Sequence, residues 1–151
     1  MWRRVLHTLV TVVWGLWFGG LVVLFIAVSS LFSTFSSQHE VAGKAAANIF
    51  RVFNAYQLAL AVAALLGTFF WRLVGSPRFK TTLFTLFALA TVAACVNTMY
   101  IAPRIEGLQA QGLARSAEFG KLHAASMMTY LAETLFVLLA GLFLPSIPRK
   151  E

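Results

Sequence analysis

The chain has 151 residues, of which 60% are hydrophobic and 11% are charged, with a formal net charge of +7. A soluble domain needs polar residues over its surface, so this composition excludes the ordinary soluble classes. The basic residues are spread over several short segments, which disfavours a nucleic-acid partner and fits anchoring in a membrane. The single cysteine, Cys95, excludes an intrachain disulfide.

Four long stretches carry almost no charge, and each can cross about 30 Å of hydrocarbon at about 1.5 Å per residue. They predict helices over 8–32, 45–73, 80–102 and 120–144. Short connections join them, so we expect a single all-α domain over 1–151, an integral membrane antiparallel four-helix bundle. The first stretch exceeds the about 7 to 15 apolar residues of a signal peptide, so we expect it to remain as a helix.

The first predicted helix carries a cluster of glycines. Gly15 and Gly19 form a Gly-x-x-x-Gly pair, extended by Gly20, and Trp14 and Trp17 flank the pair. Small residues at this spacing allow two helix backbones to approach closely. The pattern therefore predicts helix packing, either within the bundle or against another subunit.

The three connections differ in character. Segment 33–44 is polar, and the second connection is a short basic turn around Gly75, Ser76 and Pro77. The third, 103–121, mixes apolar and charged residues, which predicts a short amphipathic helix at the membrane interface.

Basic residues at the helix ends predict the orientation in the membrane. Seven fall on the side of the N-terminus and five on the opposite side, which predicts that both termini are cytoplasmic. The seven are Arg3, Arg4, Arg72, Arg78, Lys80, Arg149 and Lys150, and the five are Lys44, Arg51, Arg104, Arg115 and Lys121.

Polar residues gather where four helix ends meet on the predicted non-cytoplasmic side. A polar cluster within the spans indicates either a binding site or interhelical hydrogen bonds that hold the helices together. The candidate residues are Arg51, Asn54, Asn97, Arg104, Glu106, His123, Ser126, Tyr130 and Glu133. Four of them, His123, Ser126, Tyr130 and Glu133, follow spacings of three, four and three, which predicts one inward face of the last helix.

Glu133 lies near the predicted bilayer middle, where an ionisable residue is a functional-site hypothesis by default. Alone at this depth it is expected to be protonated, whereas a nearby Arg51 would keep it ionised. A buried Arg51 would pair with Glu133 or with Glu106. Proton-linked transport would use such a change in the protonation state of Glu133. A neutral Glu133 that is hydrogen-bonded to a neighbouring helix is an equally good interpretation.

Metal and haem sites have little support in the sequence. His123, Met127 and Met99 could offer ligands to a soft metal such as Cu(I), but no His or Cys cluster accompanies them. His7 falls at the opposite end of the predicted bundle and His39 in a loop, so a bis-histidine haem is not supported. The sequence implies no cofactor and no metal site.

Two segments resemble the transmembrane protein 205-like family, a membrane domain of unknown function. They are Ala102-Pro103-Arg104-Ile105-Glu106 and Phe119-Gly120-Lys121-Leu122-His123-Ala124-Ala125-Ser126, and Ala42-Gly43 and Trp17-Phe18-Gly19-Gly20 are similar to further recurring positions. The chain departs from that family at Ser29 or Ser30, where proline is common, and at Tyr130, where asparagine is common. The resemblance implies a four-span membrane protein with no established activity.

No nucleophile elbow, phosphate-binding loop or His-Glu-x-x-His motif occurs, and the chain has no aspartate. We therefore expect a noncatalytic accessory or structural subunit of the bacterial inner membrane. Its expected partners are the lipid bilayer and other membrane subunits, without nucleic acid. A small proton- or metal-linked transporter or ligand-binding protein is one alternative, and a haem- or copper-binding redox subunit is another.

Overall fold

The computed structural model describes residues 2–73 and 78–145, without the side chains of residues 3 and 78–80. These ranges are almost entirely helical and contain no strand, which confirms the predicted all-α fold. The elements are α1 (Trp2–Thr34), α2 (His39–Leu73), α3 (Arg78–Val96), a π-helical turn (Asn97–Ile101), α4 (Ala102–Ala110) and α5 (Ala117–Phe143).

Within these ranges, four helical segments are long and apolar enough to cross a membrane. They are Arg4–Thr34, His39–Leu73, Thr81–Ala110 and Ala117–Phe143, with mean hydropathies of 2.4, 1.7, 1.7 and 1.6. Large apolar side chains such as Phe25 and Leu142 point outward from the bundle, as is usual for a surface that faces lipid. The chain is therefore an integral membrane protein with several spans.

The four spans form an antiparallel ring around one core. Helix α1 packs on α2 and α5, and α3 packs on the same two helices from the other side. Across the ring, the indole of Trp17 in α1 stacks on Phe87 of α3, with ring centroids 6.1 Å apart. We call the end of the bundle that holds the connections 35–38 and 111–116 the far end, and the end that holds Trp2 and Leu73 the near end.

The third span is longer than predicted. Helical structure continues from α3 through the π turn into α4 and ends at Ala110, so the short helix predicted within 103–121 is present as α4 but is continuous with the third span. Pro103 does not end this continuous helix, because a π turn directly before a proline is a local adjustment that tolerates its missing N–H. Helix α4 packs against α5.

A tight turn connects α4 to α5. Gly112 adopts a φ of 72°, a left-handed conformation that glycine reaches without steric cost. The side chain of Ser116 then accepts a hydrogen bond from the Phe119 backbone N–H at 3.1 Å and caps the start of α5. Two further predictions, the basic turn at residues 75–77 and the basic residues Arg149 and Lys150, lie outside the described residues.

Candidate functional site

A buried carboxyl group lies at the centre of the bundle. Glu133 of α5 is 0% exposed, and its Oε1 accepts a hydrogen bond from the Trp17 indole Nε1 at 2.8 Å. Its other oxygen, Oε2, has no hydrogen-bond partner among the described residues, and no described basic side chain lies within ion-pair distance. A polar group buried without a full set of partners is costly, so this carboxyl group is an unusual feature of the core.

One turn closer to the far end, Asn54 and Gln57 of α2 together contact α5 and the π turn. Its Oδ1 accepts hydrogen bonds from the Tyr130 hydroxyl at 2.7 Å and from Gln57 Nε2 at 3.1 Å. The same Gln57 nitrogen lies 3.4 Å from Thr98 Oγ1 in the π turn. Gln57 is fully buried, and its Oε1 has no hydrogen-bond partner among the described residues.

The π turn holds the next part of this chain of polar groups. Ser126 of α5 donates a hydrogen bond to Asn97 Oδ1 at 2.8 Å, and the Ala102 backbone N–H bonds to the Asn97 carbonyl, five residues back. Pro103 follows directly and cannot donate a backbone hydrogen bond to the preceding turn. Such π-helical turns occur frequently at functional sites.

Together these side chains form what we call the polar network, which consists of three hydrogen-bonded groups: Trp17 with Glu133, Asn54 with Gln57, Thr98 and Tyr130, and Asn97 with Ser126. Its members come from α1, α2, the π turn and α5. They are Trp17, Asn54, Gln57, Asn97, Thr98, Ser126, Tyr130 and Glu133.

An open groove of about 370 Å³ lies beside the polar network, between α2 and the stretch from Thr98 to Glu106. Two network members, Asn54 and Thr98, reach its wall. The full lining is Arg51, Asn54, Ala55, Leu58, Thr98, Ala102, Pro103 and Glu106. The groove therefore combines an apolar wall with polar groups that continue into the core.

A loose ion pair lies at this groove. Arg51 Nε approaches Glu106 Oε1 at 3.5 Å, and the two side chains are 64% and 42% exposed. No hydrogen bond of either side chain is found within the described ranges. Both groups keep most of their hydrogen-bonding capacity, since a guanidinium offers five N–H donors and a carboxylate about four acceptor positions.

The structure decides between the two predicted partners of Arg51. The Arg51 side chain is exposed and lies beside Glu106. Glu133 is instead hydrogen-bonded to Trp17. The predicted pairing of Arg51 with Glu133 is therefore not found. The nearby Arg104 is exposed and lies over the ring of Tyr100, with its guanidinium carbon 4.0 Å from the ring centroid.

His123 is the member of the predicted inward face that does not point inward. Phe119, Leu122 and Ser126 are the half-buried positions at the start of α5, so the face turned to the bundle is centred on them. His123 lies to one side of that face, exposed, with its ring stacked on Phe119 at 5.9 Å. The other three members, Ser126, Tyr130 and Glu133, belong to the polar network.

The weak metal candidates do not come together in the core. Met99 and Met127 are exposed, as is His123. No group of three or more His, Cys, Asp or Glu side chains that could hold a metal occurs within the described ranges.

Among the predicted packing glycines, Gly20 alone contacts another helix within the chain. A Cβ at Gly20 would lie 3.1 Å from the rings of Phe53 and Tyr56, whereas Gly15 and Gly19 have open space at that position. Close packing of Gly15 and Gly19 against another helix of the chain is therefore not observed, and packing against another subunit stays a prediction. An unpredicted close contact joins Gly141 of α5 to the indole of Trp14.

The list of predicted site residues omits three members of the network, Trp17, Gln57 and Thr98. The sequence places Trp17 beside the glycines and within the family resemblance, although an indole N–H inside hydrocarbon also needs an acceptor. Trp17 and Glu133 each lie near the middle of a long uncharged stretch, which is a signal that could have paired them. Thr98 gives no comparable signal, because threonine in a helix usually bonds to its own backbone.

The fold and the polar network define a multi-pass integral membrane protein with an internal hydrogen-bond network. Residues 12–114 match a family described as a domain of unknown function, DUF4149, and the chain belongs to this family. The matched region covers about two thirds of the chain and ends before α5, so it includes Arg51, Asn54 and Glu106 but not Glu133. No curated protein and no solved structure matches the chain.

Proposed function

We propose that this chain is a noncatalytic membrane protein that binds a small ligand in the groove beside Arg51 and Glu106. One observation carries the proposal: the groove wall continues through Asn54 and Thr98 into the hydrogen bonds that join α2, the π turn and α5. A ligand that bonds to Asn54 or Thr98 would compete for these hydrogen bonds between helices. Binding would thereby be transmitted to the packing of these three elements.

The membrane and its sidedness are part of this proposal. The excess of basic residues that the sequence predicts on the side of the N-terminus supports cytoplasmic termini, so the groove would open on the non-cytoplasmic side. The transmembrane protein 205-like resemblance supports a bacterial inner-membrane location. Two of the residues that carry this resemblance, Pro103 and Glu106, line the groove. The expected surroundings are the lipid bilayer and other membrane subunits, without nucleic acid.

A second candidate function is that of an accessory subunit of a membrane complex. Gly15 is exposed on α1, and a Cβ added at Gly15 or at Gly19 would meet no atom of the other helices within 4 Å. A helix of another protein could approach α1 closely there. If so, extraction in mild detergent should yield an assembly larger than the single chain, and Gly15→Leu should dissociate it.

The test of ligand binding uses full-length protein purified in mild detergent. Small molecules released by denaturation are identified by mass spectrometry from the wild type and from Arg51→Gln and Glu106→Gln variants. Arg115→Gln and Glu118→Gln are matched controls, because they make the same charge changes at exposed positions outside the groove lining. A molecule that is lost or reduced in at least one groove variant and unchanged in both controls supports the proposal. Identical content in all five proteins would refute it.

A further inference from the structure

The depth of the groove in the membrane follows from the uncharged stretches of two helices. Twenty uncharged residues separate Arg51 from Arg72, which is about 30 Å of helix, the thickness of the hydrocarbon core. In the third span, 23 uncharged residues separate Lys80 from Arg104, or about 35 Å. Arg51, Arg104 and Glu106 therefore lie at the level where hydrocarbon gives way to phospholipid headgroups.

The groove extends inward from this level along the lipid-facing surface. Leu58 is seven residues beyond Arg51 on α2, so the lining reaches about 10 Å into the hydrocarbon. Beside the groove, α2 exposes Val52 and the π turn exposes Met99, at 73% and 69%. Apolar side chains this exposed on membrane helices face acyl chains. A molecule that fills the groove can therefore enter from the bilayer, with a polar end at Arg51 and an apolar end along Leu58.

The charges at the groove narrow the chemistry of its occupant. Arg51 and Glu106 approach each other at 3.5 Å without a hydrogen bond, so each can take a ligand group of opposite charge. A purely anionic headgroup would satisfy Arg51 but lie against the Glu106 carboxylate. A quaternary ammonium headgroup carries no N–H to donate to Glu106. A headgroup with one phosphate and one primary ammonium matches both side chains.

We propose that the groove is a binding site for a phospholipid whose headgroup carries a phosphate and a primary ammonium. The phosphate lies at Arg51, the ammonium at Glu106, and the glycerol backbone and one acyl chain follow the wall formed by Ala55, Leu58 and Ala102. Asn54 and Thr98 provide hydrogen bonds at the inner end of the headgroup. This inference rests on the proposed ligand-binding function and names the ligand.

Competition between phospholipids tests the proposal directly. Full-length protein is offered an equimolar mixture of dioleoyl phosphatidylethanolamine, phosphatidylcholine and phosphatidylglycerol, and the lipids retained per chain are counted by native mass spectrometry. We expect one tightly retained phosphatidylethanolamine, preferred over phosphatidylcholine by about tenfold. The reason is that phosphatidylcholine cannot donate the charged hydrogen bond to Glu106.

The two groove variants should fail in different ways. Arg51→Gln should weaken retention of all three lipids by about tenfold, since each carries the phosphate. Glu106→Gln should retain lipid but lose the preference for phosphatidylethanolamine over phosphatidylcholine. Arg115→Gln and Glu118→Gln should behave as the wild type. Thermal unfolding in detergent shows that each variant is folded before its lipids are counted.

Each contrary outcome has a distinct meaning. Equal retention of phosphatidylethanolamine and phosphatidylcholine, preference for phosphatidylglycerol, or unchanged selectivity in Glu106→Gln would overturn the headgroup assignment. A nonlipid molecule that is released from the wild type and lost from Arg51→Gln would overturn the assignment of a phospholipid as the ligand. The proposed ligand-binding function would still be supported. No groove-dependent molecule of any kind would overturn both.

Discussion

The two halves of the bundle use polar side chains differently. In the half toward the near end, the buried hydroxyl of Thr68 bonds to the Ala64 carbonyl of its own helix, and the core there is apolar. In the half toward the far end, Asn54, Asn97 and Ser126 bond to side chains of other helices. The near half is therefore stabilised mainly by apolar packing, with the bond from Trp14 Nε1 to the Val137 carbonyl as its hydrogen bond between helices. The far half is stabilised by pairs of polar side chains that depend on the position of a neighbouring helix.

This difference has a consequence for which changes the protein tolerates. Apolar packing loses stability in proportion to the volume removed or added. Interhelical hydrogen bonds in membranes contribute about 0.6 kcal/mol each on average, so single deletions in the far half should be mild unless they leave a buried group unpaired. Substitutions at four positions, Trp17, Gly141, Asn54 and Arg51, test this contrast together with their control variants.

The largest effect is expected at Trp17, which belongs to both halves. Trp17→Ala removes a fully buried ring that stacks on Phe87 and the donor to Glu133. We expect a loss of about 3 to 5 kcal/mol in the free energy of unfolding, because the core is left with a cavity. Denaturant titration of the purified protein in detergent measures it.

Trp17→Phe separates the two contributions of Trp17. It keeps an aromatic ring but leaves Glu133 Oε1 without its donor, for an expected loss of about 1 to 3 kcal/mol. If Trp17→Phe were as stable as the wild type, the indole hydrogen bond would contribute nothing to folding.

The second effect concerns packing in the near half. A methyl group added by Gly141→Ala would collide with the indole of Trp14, whose Nε1 donates to the Val137 carbonyl at 2.8 Å. Moving the indole breaks that bond, so we expect a loss of about 1 to 3 kcal/mol in unfolding free energy.

Gly15→Ala is the matched control for Gly141→Ala, because a Cβ at Gly15 meets open space. It should leave stability unchanged or raise it by about 0.5 to 1 kcal/mol, the usual gain from alanine in a helix. Equal losses in the two variants would show that the contact with Trp14 is not the cause.

The third effect concerns the far half at Asn54. Asn54→Leu removes the acceptor of Tyr130 and Gln57. We expect a loss of about 1 to 2 kcal/mol, because the largely buried Tyr130 hydroxyl is left without its acceptor. Tyr130→Phe should lose about 0.6 kcal/mol, and the double variant should fall short of the sum of the two single losses by about 0.6 kcal/mol. Strict additivity in this cycle would contradict a direct bond between the two side chains.

The smallest effect on stability is expected at the groove. Arg51→Gln breaks a pair that is about half exposed, and such pairs contribute about 0 to 1 kcal/mol. Its midpoint of thermal unfolding should therefore stay close to that of the Arg115→Gln control. A loss as large as that of Asn54→Leu would show that Arg51 belongs to the framework of the bundle and not only to the groove.

The sequence predicted the four helices and the end of the bundle at which polar residues meet. Long uncharged stretches and the short connections between them were sufficient for this, because lipid admits few other structures. The helix ends were less predictable: α2 begins at His39 and the third span ends at Ala110, beyond the hydrocarbon limits that the charges mark. Hydropathy predicts where the hydrocarbon core ends. A helix can continue beyond that point into the headgroup region.

The partners within the site were harder to predict. The pairing of Glu133 with Trp17 depends on the stagger of α1 against α5, which no local pattern encodes. Whether His123 points inward depends on how α5 is rotated about its own axis. The spacing of polar residues shows that they share one face but does not show which way that face is turned. Arg51 was placed beside the correct carboxylate, Glu106, as one of two alternatives. The sequence predicts which types of residue lie in the site and how deep they lie in the membrane. It does not predict how each helix is rotated about its axis.

The π turn at Asn97–Ile101 amounts to one extra residue in an otherwise regular helix. If the same residues wound as an ordinary α-helix, every side chain after the turn would rotate by about 100° about the helix axis relative to its present position. Glu106 would then turn away from Arg51, whereas deleting one residue between positions 97 and 101 would remove the π turn and leave Glu106 facing Arg51. The wide turn therefore acts as a spacer: it lets the third span hold one additional residue and still present the Glu106 carboxylate to the groove.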